Sequence, residues 1–163
     1  MSLRLEPMTP AQYDVWYRQA VGEYSQEFVE SGLLNPEDAA QRAKVDFERL
    51  LADGLTTDRH ELFTAYADET PVATLWLFFE QRARGVEAFV YSLTVEESQR
   101  RRGYGRAVMK LAIELCRARD IIAVGLHVFG HNKAARGLYD SLGFEVTSTN
   151  MKLALSAPAP TSV

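Results

Sequence analysis

Arg100-Arg101-Arg102-Gly103-Tyr104-Gly105 stands directly behind the apolar run Phe89 to Val95 and directly ahead of a segment with helical spacing. A strand that hands over to a helix through glycines leaves several backbone N–H groups unpaired at the helix N-terminus. Those amides and the helix dipole both favour an anion. Glycine at 103 and 105 lets a phosphate approach the amides closely, and the arginines can add charge-assisted contacts. Arginines at a helix N-terminus are repelled by its dipole unless an anion offsets them, which favours an anion cradle over a solvated charge run.

Around this stretch the chain divides into two kinds of pattern. Upstream, Leu3-Arg4-Leu5-Glu6-Pro7 alternates and meets proline, a short opening strand. Thr9 with Gln12 fits a capping box, Pro10 takes the first helical position, and Tyr13, Trp16, Tyr17, Ala20 and Tyr24 keep helical spacing to about Ser31. Asn35-Pro36-Glu37-Asp38 repeats the start signal for a second helix ended by Gly54. From His60 the period becomes strand-like: Leu62 to Ala67, a turn at Asp68 to Pro71, Val72 to Phe79, a turn at Arg82 to Gly85, and Ala88 to Val95. Downstream the pattern alternates. Gly105 to Arg117 reads as a helix, Ile121 to Val128 as a buried strand, Asn132 to Leu142 as a helix and Phe144 to Leu155 as a closing strand. Residues 1–155 are expected to form one domain and 156–163 a disordered tail.

Composition narrows the function. The 163 residues are 47% hydrophobic, enough for one compact domain with a core of its own. A net charge of -4 argues against general nucleic-acid binding, so the local basicity suggests a small anionic ligand. The single cysteine, Cys116, excludes an internal disulfide and fits a reducing compartment, the cytoplasm by default. No apolar run approaches the ~20 residues of a membrane span. His60, His127 and His131 are too scattered for a metal cluster, and no metal is expected.

Arg-x-x-Gly-x-Gly alone is weak, since many glycine turns are only tight connections. A Walker loop would carry Lys-Ser or Lys-Thr where Arg106-Ala107 stand, and a dinucleotide fingerprint a third glycine where Val108 stands. Context is more telling. The loop follows Leu93-Thr94-Val95, opens an amphipathic helix, and is followed by Asn132-Lys133-Ala134-Ala135-Arg136-Gly137-Leu138-Tyr139 and then Leu142-Gly143-Phe144-Glu145. In order and spacing from Val72 to Phe144 this resembles the GNAT acetyltransferases. The resemblance implies an α+β fold, with a mixed, mostly antiparallel central sheet of six to seven strands and helices on both faces. Acetyl-CoA is then expected between two splayed strands, here Ala88 to Val95 and Ile121 to Val128. It assigns coenzyme contacts to Leu93, Thr94, Val95, Arg100, Arg101, Arg102, Gly103, Tyr104, Gly105, Arg106, Asn132, Arg136 and Tyr139.

Direct transfer of an acyl group to an amine needs stabilisation of a developing oxyanion and a proton for the departing thiolate. Val95 N–H is the candidate for the first task and Tyr139 for the second. The base is unassigned, because on the strand where some relatives carry a carboxylate the nearby positions here are Phe89, Tyr91 and Ser92, with Glu87 farther back. Glu80, Glu87, Glu23 and Glu27 are candidates, each also readable as a solvated surface carboxylate. Glu97 stands where many relatives have proline. Tyr139 also fits a plain core aromatic, Asn132 a plain helix cap, and Cys116 a buried thiol. The expected acceptor is a primary amine of a small molecule: a metabolite, a polyamine or an antibiotic-like amine. A protein or peptide amine, or a non-catalytic coenzyme sensor, is the alternative, and a homodimer through the closing strand is compatible.

Overall fold

The computed structural model describes residues 2–156, in two compact units that meet in sequence between His127 and Val128. In chain order the first holds β1 (Leu3–Pro7), α1 (Pro10–Glu30), α2 (Pro36–Leu50), β2 (His60–Ala67), β3 (Thr70–Arg82), β4 (Gly85–Val95), α3 (Tyr104–Ala118) and β5 (Ala123–Leu126). Short 3-10 turns cover Gly54–Thr56 and Glu97–Gln99. The second unit contains α4 (Lys133–Ser141).

Both upstream helices begin where their caps dictate. Gln12 N–H donates to Thr9 Oγ1 at 3.3 Å while Thr9 N–H donates to the Gln12 side chain at 2.9 Å. Asp38 N–H donates to Asn35 Oδ1 at 2.9 Å, and each helix carries proline in its first positions. The sheet runs β1-β2-β3-β4-β5, antiparallel as far as β4, with β5 parallel to β4.

One face of this sheet packs on α1 and α2. Trp16, Phe47, Leu51, Met8, Leu62 and Trp76 form a buried cluster there, with Trp16 meeting Trp76 edge to face at 5.5 Å. Buried Asp46 of α2 accepts from the Tyr24 hydroxyl at 3.1 Å and from Arg42 Nε at 2.8 Å, so the carboxylate fastens α1 to α2 with its charge compensated. Strand alternation turns Leu75, Leu77 and Val90 to the opposite face. There α3 supplies Val108, Met109, Ala112 and the buried Cys116, and packs against β1, β3 and β4.

Three expectations change. β3 runs on to Arg82, because the Arg82 to Gly85 turn is a tight hairpin whose residues still pair. β5 is shorter than Ile121 to Val128, holding four residues. Phe144 to Leu155 forms no strand, so among the described residues the sheet has five strands where six to seven were expected. Met151, Leu153 and Leu155 are 92%, 83% and 92% exposed; an alternating segment without a ladder partner leaves its backbone groups to water and gains nothing from extended geometry. The expected tail lies, from 157 onward, outside the described residues.

Candidate active site

β4 changes partner along its length. It pairs with β3 throughout, but with β5 only from Glu87 to Val90, so from Tyr91 onward its β5 side has no strand partner among the described residues. A β-bulge marks the point of change. Ser92 opposes Trp76 and Val90 opposes Leu77, which makes Tyr91 the extra residue. Beyond the bulge, Glu96 N–H donates to Val72 C=O at 2.9 Å. Hydrogen-bonded and non-hydrogen-bonded pairs alternate in an antiparallel ladder, so the backbone groups of Val95 and Leu93 face away from β3, toward the open edge. Thr94, opposite Thr74, turns its backbone groups into the ladder and offers the edge none.

Arg100 Nε donates to the Val95 carbonyl at 3.3 Å, tying the arginine turn to the strand end and leaving the Val95 N–H uncommitted by that contact. Arg102 donates to the Gln99 side chain at 3.2 Å. Arg101 at φ 60 and Gly103 at φ 82 both adopt the left-handed region. Holding an arginine there costs about 1–2 kcal/mol, strain of the kind found at ligand clamps. Gly103 is the N-cap of α3 and has no side chain to cap it, while a Cβ built on it meets nothing within 4 Å. The space before the helix N-terminus is therefore open. Tyr104 is buried and roots the first turn, from which the exposed Arg106 extends.

In the second unit, Asn132 caps α4 by accepting from Ala135 N–H at 3.1 Å. Arg136 and Tyr139 follow at helical spacing on the same side of α4. Arg136 lies 4.0 Å from Asp140. Phe144 N–H returns to the Tyr139 carbonyl at 3.1 Å and its ring meets Tyr139 at 5.6 Å, with Gly143 at φ 90 making the turn between them. Burial pushes the Tyr139 hydroxyl above its ordinary pKa, so it is protonated at neutral pH.

The candidate bases fall apart by environment. Glu23 and Glu27 are exposed on α1. Glu80 is held by Arg82 at 2.7 Å, whereas Glu87, directly across the ladder, has no ion pair among the described residues. Glu80 and Glu87 line a cleft of about 260 Å³ with Phe78, Phe89 and Tyr91. Among the described residues no three His, Cys, Asp or Glu side chains gather as a metal site.

Comparison with known proteins gives the family and the fold. A profile of the acetyltransferase (GNAT) family matches residues 19–144. The chain belongs to the GNAT acetyltransferase family. It is 33% identical over 152 residues to the uncharacterized N-acetyltransferase YycN of Bacillus subtilis (strain 168), a match spanning 93% of this chain and 97% of that one. The crystal structure of the YycN acetyltransferase superposes with a TM-score of 0.90 at 32% identity, covering 96% of this chain and all of that one. A second Bacillus subtilis protein, the uncharacterized N-acetyltransferase YdgE, is 25% identical over 153 residues, with 93% of this chain and 98% of that one covered. The protein is thus an acetyltransferase of the GNAT type, and its family implies acetyl-CoA as co-substrate. The open approach at Gly103 and the uncapped α3 N-terminus fit a pyrophosphate.

Sequence reasoning missed the aromatic stack beside the bulge. Tyr91 lies over Trp76 at 4.6 Å, and the Trp76 indole N–H donates to His60 Nδ1 at 2.9 Å. Burial holds His60 below its ordinary pKa, and the indole contact leaves its proton on Nε2. No local signal announces the bulge, because Phe89-Val90-Tyr91-Ser92 reads as an uninterrupted strand.

Proposed function

We propose that this acetyltransferase moves the acetyl group of acetyl-CoA directly to a primary amine of a small molecule, with residues 1–155 acting as one catalytic domain in the cytoplasm. The observation that carries the reading is the open β4 edge at Leu93 and Val95, immediately ahead of the glycine turn that opens α3. An edge of this kind can bind an extended amide chain through backbone hydrogen bonds, while the turn takes the anionic end. The small size of the cleft beside β4, about 260 Å³, favours a small acceptor over a folded protein surface.

Bound acetyl-CoA supplies an activated thioester carbonyl and a thiolate leaving group. Leu93 and Val95 would align the extended arm along β4, Thr94 being turned into the ladder, with Arg100, Arg101, Arg102 and Arg106 offsetting phosphate charge around the amides of Gly103, Tyr104 and Gly105. Val95 N–H donates to the developing oxyanion. Tyr139, protonated at neutral pH, returns a proton to the sulfur, while Asn132 and Arg136 add polar contacts from α4. The amine's own proton leaves through Glu87, Glu80 or a water chain.

The test is thiol release across a panel of small amines and peptide N-termini. Small amines are expected to be acetylated, with kcat reduced about 100-fold in Tyr139→Phe and coenzyme affinity retained. Acetylation of peptides alone, or tight coenzyme binding with no release from any amine, would overturn the reading.

A further inference from the structure

The bulge in β4 decides which backbone groups the open edge presents. Continued without an extra residue from Val90 opposite Leu77, the ladder would set Leu93 against Thr74 and Val95 against Val72, whose backbone groups point toward β4. Leu93 and Val95 would then turn inward, and Thr94 would face the edge instead. The pattern of buried side chains demands one extra residue without saying which. Val90 and Leu93 both lie on the α3 face, three positions apart, while their partners Leu77 and Leu75 are two apart, so either Tyr91 or Ser92 must be left over.

Two observations show what selects Tyr91. Ser92, kept in the ladder opposite Trp76, has its Oγ buried with no hydrogen-bond partner among the described residues, an unfavourable place for a hydroxyl. Making Ser92 the extra residue would free it from that place, so another contact outweighs the cost. Tyr91 supplies it. Its ring lies 4.6 Å from Trp76 at 26° and 5.8 Å from His60 at 27°, and it meets Phe89 at 5.0 Å and Phe78 at 6.0 Å. Trp76 is 2% exposed, packed edge to face against Trp16 and oriented by its indole N–H, which donates to His60 Nδ1. The stack thus ties the extra residue to a side chain fixed from both α1 and β2.

We infer that Tyr91 is a positioning residue, whose ring stacked on Trp76 pins the bulge two residues before Leu93 and so fixes where the Leu93 and Val95 edge groups stand. The inference rests on the strand-edge reading of the function above. Its effect passes through the backbone that follows Tyr91, so the chemistry stays with the edge. Two consequences separate this role from contact with the acceptor: the ring matters and the hydroxyl does not, and the loss is the same for every amine.

The experiment measures kcat and KM across the amine panel for wild type, Tyr91→Ala, Tyr91→Leu and Tyr91→Phe, with calorimetric titration of coenzyme A into each. Tyr91 is 36% exposed, so all three variants are expected to fold, and the thermal midpoint checks it. Tyr91→Ala and Tyr91→Leu should lower kcat about 10- to 100-fold, the effect of a displacement on the order of 1 Å at the reacting groups, with amine KM held within about threefold. Coenzyme A should bind them about 10-fold more weakly, the value of a misaligned backbone hydrogen bond. Tyr91→Phe should restore both. An unchanged kcat in Tyr91→Ala, a loss that falls on amine KM or differs among amines, a Tyr91→Phe variant as impaired as Tyr91→Ala, or a Tyr91→Leu variant as active as wild type would overturn the inference while acetylation itself stands. With no thiol release from any amine in wild type, the acetylation reading falls and coenzyme A affinity decides: weakened by Tyr91→Ala and restored by Tyr91→Phe upholds the clamp, and equal affinity in all four proteins overturns it.

Discussion

Gly103 combines two demands on one residue, a left-handed backbone and an open approach to the α3 amides. A Cβ there meets nothing within 4 Å, so the main cost of a valine is conformational: about 1–2 kcal/mol for a branched residue at positive φ. Under the proposed function its methyl groups would also stand where phosphate oxygens must reach the helix. Gly103→Val is expected to fold, to lose a few degrees of thermal midpoint, and to weaken coenzyme A binding about 10-fold or more in calorimetry. Unchanged coenzyme affinity would remove the anion from this turn. The glycine could be named from its neighbours in the chain, because a strand, a glycine pair and an amphipathic helix in series leave few alternatives. The left-handed Arg101 could not: its conformation is set by the 3-10 turn before it and the helix after it, and arginine itself expresses no preference for that region.

Among the elements, local signals sufficed wherever the segment's own residues supply its stabilising contacts. The caps at Thr9 and Asn35 place the starts of α1 and α2 because the capping groups lie within three residues of the amides they satisfy. The closing strand failed for the opposite reason, since strand formation depends on a partner that alternation in Phe144 to Leu155 cannot provide. The bulge at Tyr91 was equally illegible, being a property of the β3 and β4 lengths taken together. The contrast has an energetic form. Phe47, the ring through which α2 touches both Trp16 and Trp76, is 5% exposed, and truncating it to alanine should cost about 3–5 kcal/mol. Thr9→Ala, removing one cap, should cost about 1 kcal/mol. Denaturant titration of the two variants checks the ranking, and equal losses would mean that α1 and α2 are held by their own propensities and not by the shared aromatic cluster.

Over the whole molecule, tyrosine burial sets a limit on the alkaline side. Burial raises the pKa of Tyr13 to about 12, and raises Tyr17, Tyr24, Tyr91 and Tyr139 in the same direction. A group whose folded pKa lies above its unfolded value of about 10 contributes stability that is complete below pH 10 and lost as pH rises toward the folded value. The thermal midpoint should therefore hold between pH 8 and 9.5 and fall steeply from pH 10 to 12, less steeply in Tyr13→Phe. A flat profile through pH 12 would contradict the burial of these hydroxyls. The two tryptophans offer a way to watch such losses. They are the only two in the chain, and they meet edge to face at 5.5 Å, one from α1 and one from the sheet. Their mutual orientation survives only while helix and sheet are in fixed register, so the near-ultraviolet circular dichroism of this single indole pair separates a correctly packed protein from one that has merely collapsed.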